Sequence, residues 1–408
     1  MEKQLIPILR FPDFQGKWEK VIISQIANKI TDGTHDTPKP IKEGIPFLTA
    51  IHVKDGKIDF DNCYYLSEEE HNKIFKRCNP EYGDLLMVNI GAGTATSAMV
   101  NVNYEFSLKN VALIKPNKTK IYPSFFAQVQ RKNSDRLRHQ ISSGGAQPFL
   151  SLKAIGKLKL NIPSFPEQQK IASFLSDIDD KITKLTKKKT LLEQYKKGIM
   201  QKIFNQELRF KDDNGNEFPK WSKNKIGNVF SSFKGKGIPK GDVISGGVNK
   251  CVLYGELYTT YNEVINKVVS STNSEDGLKS QKGDLLIPSS TTTTGIDLAN
   301  VTALNFDDVL LGGDIIVMRG KKEINNIFYA YYLSNYKKHQ IASRAQGITI
   351  VHIYFNSIKD LEIDIPVIEE QTKVANFLSD IDVKIEALNT KIENSKAFKK
   401  GLLQKMFV

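Results

Sequence analysis

The stretch EQQKIASFLSDIDDKI, Glu167 to Ile182, returns as EQTKVANFLSDIDVKI at Glu370 to Ile385. Subtracting 167 from 370 gives an offset of 203. That offset carries Ile162 through Phe204 onto Ile365 through Phe407 without a gap, with roughly half the positions identical. Fainter echoes extend the duplication. GDLL stands at Gly83 to Leu86 and Gly283 to Leu286, HQI at His139 to Ile141 and His339 to Ile341, and LRF at Leu9 to Phe11 and Leu208 to Phe210. Each LRF is followed by a tryptophan, Trp18 or Trp221. The chain is therefore one unit written twice, a variable globular region followed by a near-constant helix. The second copy lacks an LRF after its helix, and the one at the N-terminus completes the cycle only if Leu9 lies near the end of that helix.

The repeated segment reads as a helix with an apolar heptad. From Ile171 the a positions are Ile171, Ile178, Leu185, Leu192 and Ile199, and in the second copy Val374, Ile381, Leu388, Ser395 and Leu402. The d positions mix Phe174, Tyr195, Phe377 and Phe398 with lysines, while Leu175, Ile182, Leu378 and Ile385 widen the stripe. About 38 residues from Glu167 to Phe204 make a rod roughly 57 Å long at 1.5 Å per residue. Antiparallel pairing of the two copies is expected to cover both stripes. The acids Asp177, Asp179 and Asp180 read as surface for folding and docking, and TKKKT at Thr186 to Thr190 as a solvated face.

At 408 residues the chain has room for several cores. Fifty-eight Lys and Arg against forty-five Asp and Glu give a formal charge of +13, which favours a polyanionic partner. Three scattered cysteines argue against a disulfide framework or a cysteine zinc site, and for a reducing cytoplasm. MEKQLIPILRF is broken by Pro7 and lacks a signal-peptide core, and no run of apolar residues is long enough to span a membrane. LLMVNI and DIIVM read as strands, PSFFAQVQRKNSDRLRHQI and NIFYAYYLSNYKKHQI as helices, so each globular region is an α/β domain.

Catalytic patterns fail on inspection. NIGAGTAT, Asn89 to Thr96, has a G-x-G, but its counterpart PSSTTTTG has none, which marks a variable loop. CNPEY, Cys78 to Tyr82, puts Glu81 where a methyltransferase motif needs proline, and GKGIPKG, Gly235 to Gly241, is no phosphate-binding loop. Six histidines show no metal-ligand spacing. No catalytic or metal-binding residue is assigned.

Two variable domains, each followed by a helix introduced by IPSFPEQQKIASFLSDIDDKI or IPVIEEQTKVANFLSDIDVKI, resemble the DNA-specificity subunit of a Type I restriction-modification system. TDGTHDTPK at Thr31 to Lys39, GDLL, and the KKGIMQKIF and KKGLLQKMF helix ends carry the same resemblance. It implies an α+β protein with a pseudo-two-fold internal repeat, in which two α/β target-recognition domains, 1–161 and 208–364, are joined by two long antiparallel spacer helices, 162–207 and 365–408, forming a coiled coil. It implies recognition of a bipartite, asymmetric double-stranded DNA site. It further implies docking of two methyltransferase subunits and of restriction or motor subunits. S-adenosylmethionine, ATP and Mg would then act on those partners, this chain binding no cofactor and catalysing nothing.

Base edges are read mainly by Arg, Lys, Asn, Gln, Ser and Thr, and phosphates by Lys and Arg. The DNA candidates in the first domain are Thr34, His35, Thr37, Lys39, Arg131, Lys132, Arg136 and Arg138. In the second they are Lys234, Lys236, Lys240, Thr291, Thr292, Thr293, Thr294, Lys337, Lys338 and Arg344. The apolar helix positions named above are the candidates for spacer pairing and partner docking. The competing reading is a coiled-coil adaptor that binds only proteins, which a salt-sensitive DNA gel shift would separate from a reader.

Overall fold

Leu85–Val88 (LLMV) is buried at every residue, so it must be covered on both faces, and alternation along the strand says by what. The computed structural model describes residues 5–91, 93–142 and 148–408, without the side chains of residues 135 and 140–142. Residues 1–4, Ala92 of NIGAGTAT, and the side chains of Gln140 and Ile141 in the first HQI thus lie outside the described residues. The chain divides into two compact units, Met1–Lys187 with Asn389–Val408, and Lys188–Leu388.

In the first unit a four-stranded antiparallel sheet runs in the order Ala27–Asp32, Val111–Pro116, Leu85–Val88, Ser97–Met99. Leu85, Met87, Ala112 and Ile114 face a core shared with Phe125, Phe126, Ile171, Leu175 and Ile178. Leu86, Val88, Val111 and Leu113 point the other way, onto Phe106 and onto Leu48 and Leu108 of a smaller sheet, Tyr64–Leu66, Ile45–Thr49 and Ser107–Lys109. The second unit repeats the plan. Its main sheet is ordered Phe230–Lys234, Ile315–Gly320, Asp284–Pro288, Thr302–Leu304, Val264–Ile265. Leu285, Ile287, Ile316 and Met318 face the helices, while Leu286, Ile315 and Val317 face a second sheet built on Asn249–Val252.

The GDLL echo marks the turn that starts each central strand. Gly83 and Gly283 take φ of 91° and 99°, a region where a side chain is strained. Their N–H groups donate to Val100 O and Leu304 O, and the aspartates that follow accept from Glu81 N and Gln281 N, each at 2.9 Å. Asp84 pairs with Lys115 and Asp284 with Arg319 on the neighbouring strand. The first expected domain helix is continuous, Pro123–Ser142. The second is Asn326–Tyr331, a wider turn at Tyr332–Tyr336, and Lys338–Ala342, bent around the Ser334 hydroxyl that bonds Val301.

The repeated segments form helices Phe165–Phe204 and Ile368–Met406. In the first unit the beginning of the first helix lies against the end of the second. Ile171, Leu175 and Ile178 share a core with Leu402, Met406 and Phe407, and Asp179 is ion-paired with Lys399. In the second unit Met200, Ile203 and Phe204 share a core with Val374, Leu378 and Ile381, and Lys196 pairs with Asp382 at 2.7 Å. Both sets run antiparallel, and since 179 plus 203 is 382 and 196 plus 203 is 399, they are the same bond written twice. Asp179 and Asp382 are thus half-buried interhelical partners rather than surface, which corrects the expectation for Asp179. The heptad is also corrected. Tyr195 and Phe398 are 52% and 57% exposed and do not enter a seam, whereas Ile392, outside the a and d register, is buried. The a and e residues pack into the domain cores at the helix ends, so the stripe serves the globular domains as much as a coiled coil.

The quoted motif begins with two residues that do most of the joining. Glu167 and Glu370 are each 1% exposed. Arg10 of the first LRF grips Glu167 with Nε and an Nη at 2.8 Å each, and Arg209 of the second grips Glu370 at 3.1 and 2.7 Å. The neighbouring phenylalanines stack edge-on, Phe11 on Phe174 and Phe210 on Phe377. Gln168 and Gln371 accept from Tyr122 N and Asn325 N and donate to Pro163 O and Pro366 O. Leu9 N donates to Lys405 O at 2.9 Å, as Leu208 N does to Lys202 O at 3.2 Å, so the N-terminal segment stands to the second helix as the inter-unit segment stands to the first.

Removing one partner of a buried ion pair strands the other, so Arg209→Ala should cost about 3 kcal/mol in urea unfolding, with Arg209→Met/Glu370→Leu costing clearly less; equal losses would show the charge is not what matters. A permutant joining Val408 to Met1 by a short linker and opened at the exposed Asn214 should fold with an unchanged circular dichroism spectrum, and failure to fold would count against cyclic closure.

Candidate nucleic-acid interface

Three loops leave the same end of each main sheet. In the first unit Asp32 pairs with Ala112 and Val88 with Val111, so the loop after Asp32, the loop after Val88 and the turn before Val111 converge. In the second, Lys234 pairs with Ile316 and Pro288 with Ile315, which brings together the loops after Lys234 and Pro288 and the turn before Ile315. A fourth segment joins them, Leu150 N donating to Asn89 O and Ile353 N to Ser289 O.

Glycine seats the first loop in both units. A Cβ on Gly33 would sit 2.0 Å from Leu108 O, and one on Gly235 2.0 Å from Gly312 O. Gly33 N bonds Val111 O and Gly235 N bonds Ile315 O, and the turn residues Asn110 and Asp314 both take left-handed backbone, φ 53° and 58°. From this shared root, THDTPK and KGIPK put Pro38-Lys39 and Pro239-Lys240 at an offset of 201, with both lysines exposed. DGTH and KGKG are therefore one structural device with different side chains.

Several sequence candidates meet here. His35 is held by Asp32 at 3.0 Å and Asn110 at 2.9 Å, Thr34 bonds Asp36, and Thr37 accepts from Lys109 Nζ. Arg138 reaches Thr96 Oγ1 at 3.0 Å, and Arg136 is exposed on the same helix. In the second unit Lys234 is exposed, and Lys236 pairs with Asp276 at 2.9 Å, holding that carboxyl below its usual range. Lys240 borders a cavity of about 480 Å³ lined by Ile238, Tyr254, Tyr258 and Asp314. Thr293 and Thr294 bond Asp297, Thr292 is exposed, Lys338 donates to Asn300 at 3.0 Å, and Arg344 is exposed.

Four candidates are placed elsewhere. Arg131 lies between Asp55 and Asp179, and Lys132 donates to the carbonyls of Phe407 and Val408, so both tie the domain to the helix ends. Lys337 sits over the Tyr332 and Tyr336 rings with Asp364 at 4.0 Å. Thr291 is 2% exposed, its hydroxyl bonded to Thr293. All four have intramolecular partners that tie them to neighbouring parts of the fold.

Arg77 was missed. Its guanidinium bonds the buried Asp32 beside His35, and nothing in the local sequence KRCNPEY announces a partner 45 residues earlier. Cys78 next to it is fully buried, and burial, then the Asp32 charge, pushes its thiol up to about 12, so it packs as an unreactive group. Among the described residues no group of three or more His, Cys, Asp or Glu is placed to hold a metal, and no helix is long and apolar enough to cross a membrane.

Comparison with known proteins gives the same architecture. The family described as Type I restriction modification DNA specificity domain matches twice, over residues 15–194 and 219–395. A Methanocaldococcus jannaschii protein named as the type I restriction enzyme MjaX specificity subunit is 26% identical over 407 residues, 95% of this chain and 92% of that one. The MjaVIII specificity subunit of the same organism is 23% identical over 386 residues, 90% and 89% of the two chains. The crystal structure of a Type I S subunit from M. genitalium superposes with a TM-score of 0.65 over 99% of both chains at 14% identity. A structure from work on complex assembly and conformational transition of the type I R-M system gives 0.55 over 96% and 97%, also at 14% identity. With two matched domains filling most of its length, the chain belongs to the family of Type I restriction-modification DNA specificity subunits.

Proposed function

We propose that the protein is the non-catalytic, DNA-reading subunit of a Type I restriction-modification complex, in which each unit reads one half of a bipartite, asymmetric site in double-stranded DNA. The observation that carries this reading is the pairing of sameness and difference. The Glu-Gln clasp, the Asp–Lys bond and the glycine-seated loop root recur in both units, while the side chains on those loops do not. A scaffold held constant under two divergent loop sets suits two half-sites of different sequence. On this reading Lys39 and Lys240 meet phosphates, and His35, Thr37, Arg136, Arg138, Lys234, Lys236, Thr292, Thr293, Thr294, Lys338 and Arg344 are the further contacts at the reading ends.

The duplicated helices would present equal surfaces to two methyltransferase subunits, which supply S-adenosylmethionine and methylate adenine. Restriction subunits would use ATP and Mg to cleave unmodified DNA, all in the cytoplasm. Tyr195 and Phe398 fit a docking role, since 195 plus 203 is 398 and both are large, ringed and exposed.

Salt-sensitive retention of duplex DNA by the chain together with its methyltransferase partner is expected in a gel shift, and no retention at low salt would favour the protein-only adaptor. Lys39→Ala or Lys240→Ala should weaken binding to all sequences alike and reduce the slope of log K against log salt by about one. Tyr195→Glu and Phe398→Glu should each remove one methyltransferase copy in analytical ultracentrifugation, and the double variant both; an unchanged sedimentation profile would exclude these residues from docking.

A further inference from the structure

We propose that Arg77 reads a guanine within the half-site taken by the first unit, an assignment that rests on the DNA-reading function above. Arg77 follows helix Glu68–Phe75, and Lys29 Nζ donates to its carbonyl at 2.8 Å, which fixes this turn against the edge strand Ala27–Asp32. Its side chain, 57% exposed, extends along that edge to the reading end of the sheet, where one Nη bonds Asp32 Oδ1. The Asp32 side chain is only 8% exposed and gives its other oxygen to His35. Asp32 is itself immobilised, because the next residue is Gly33, seated against Leu108 O. The guanidinium is thus anchored at one Nη by a buried acceptor.

That arrangement separates base reading from phosphate binding. A phosphate contact by an arginine draws most of its strength from net positive charge, and the adjacent carboxylate offsets much of Arg77's. It leaves the remaining N–H donors, held in a fixed fork. Among the described residues no second acceptor bonds the guanidinium. Guanine alone offers two acceptors, O6 and N7, on its major-groove edge, whereas adenine pairs an acceptor with a donor and cytosine presents a donor. A pinned fork therefore selects guanine by geometry rather than by charge.

The second unit differs at the corresponding place. There the segment before GDLL brings Asp276, 53% exposed, to Lys236 of the glycine-seated loop. An arginine pinned by a buried acid in one unit faces a carboxylate paired with an exposed lysine in the other, so guanine reading is assigned to the first half-site only.

The test uses the chain assembled with its methyltransferase, incubated with a duplex library randomised across the site, the retained and methylated sequences being counted. For the unaltered complex a split site containing at least one G·C pair in the half read by the first unit is expected. Arg77→Ala should lose roughly 5- to 150-fold of discrimination at one such pair and leave the other half-site unchanged. Arg77→Lys keeps the charge opposite Asp32, guarding against simple misfolding, and should lose the same discrimination because an ammonium has no fork. Uniformly weaker binding with a flatter salt dependence would make Arg77 a phosphate contact, and an unchanged motif would remove it from recognition; either overturns the assignment. If the unaltered complex selects no sequence, the proposed function fails, an outcome distinct from a split site that ignores Arg77.

Discussion

A buried carboxylate on which an arginine closes is the interaction the rest depends on. Glu167 and Glu370 have lost almost all contact with water, a position a charge holds only when it is matched in geometry as well as sign. Each receives two guanidinium N–H donors, and Glu370 also receives the Trp221 indole N–H at 2.8 Å. The clasp fixes where a long helix starts relative to its domain. It also draws in a segment, LRF, that belongs in sequence to the other end of the repeat. The glutamine that follows bonds the start of the domain helix, so strand, helix and entry segment meet at one dipeptide.

From that joint the two units build outward alike and diverge at the far end of the sheet. Central strands with alternate residues on two cores form a rigid floor, and glycines without a Cβ let the reading loop lie directly on the backbone beneath it. Loops on such a floor can change side chains without changing position. Asp–Lys bonds between the helices, Asp179 with Lys399 and Asp382 with Lys196, add a constraint of the same kind. In the second unit Lys196 lies also over the Tyr331 ring and near Glu263, so the bond joins the helices to the domain.

Much of this was legible in the chain. An offset of 203 over EQQKIASFLSDIDDKI exposed the duplication and the helices, and the GDLL echo extended it into the globular regions. What the sequence concealed were partnerships over long separations. Lys132 and Arg131 look like basic residues near a DNA-binding helix end, yet Lys132 answers carbonyls 275 residues away and Arg131 answers Asp55 and Asp179. Lys337 is likewise taken by two tyrosine rings. Arg77 went unnoticed because nothing local distinguishes a cation with a buried partner from one in solvent. The heptad misplaced Tyr195 and Phe398, because the helices bury their ends in domain cores instead of following one seam.

On the proposed function, one unit, written twice, reads two different halves of one DNA site. Sequencing the methylated adenines in DNA from cells carrying this protein with its methyltransferase tests that most directly. Two short, dissimilar sequence blocks separated by a fixed stretch of unspecified bases are predicted. A single unbroken motif, or methylation unrelated to this chain, would contradict it.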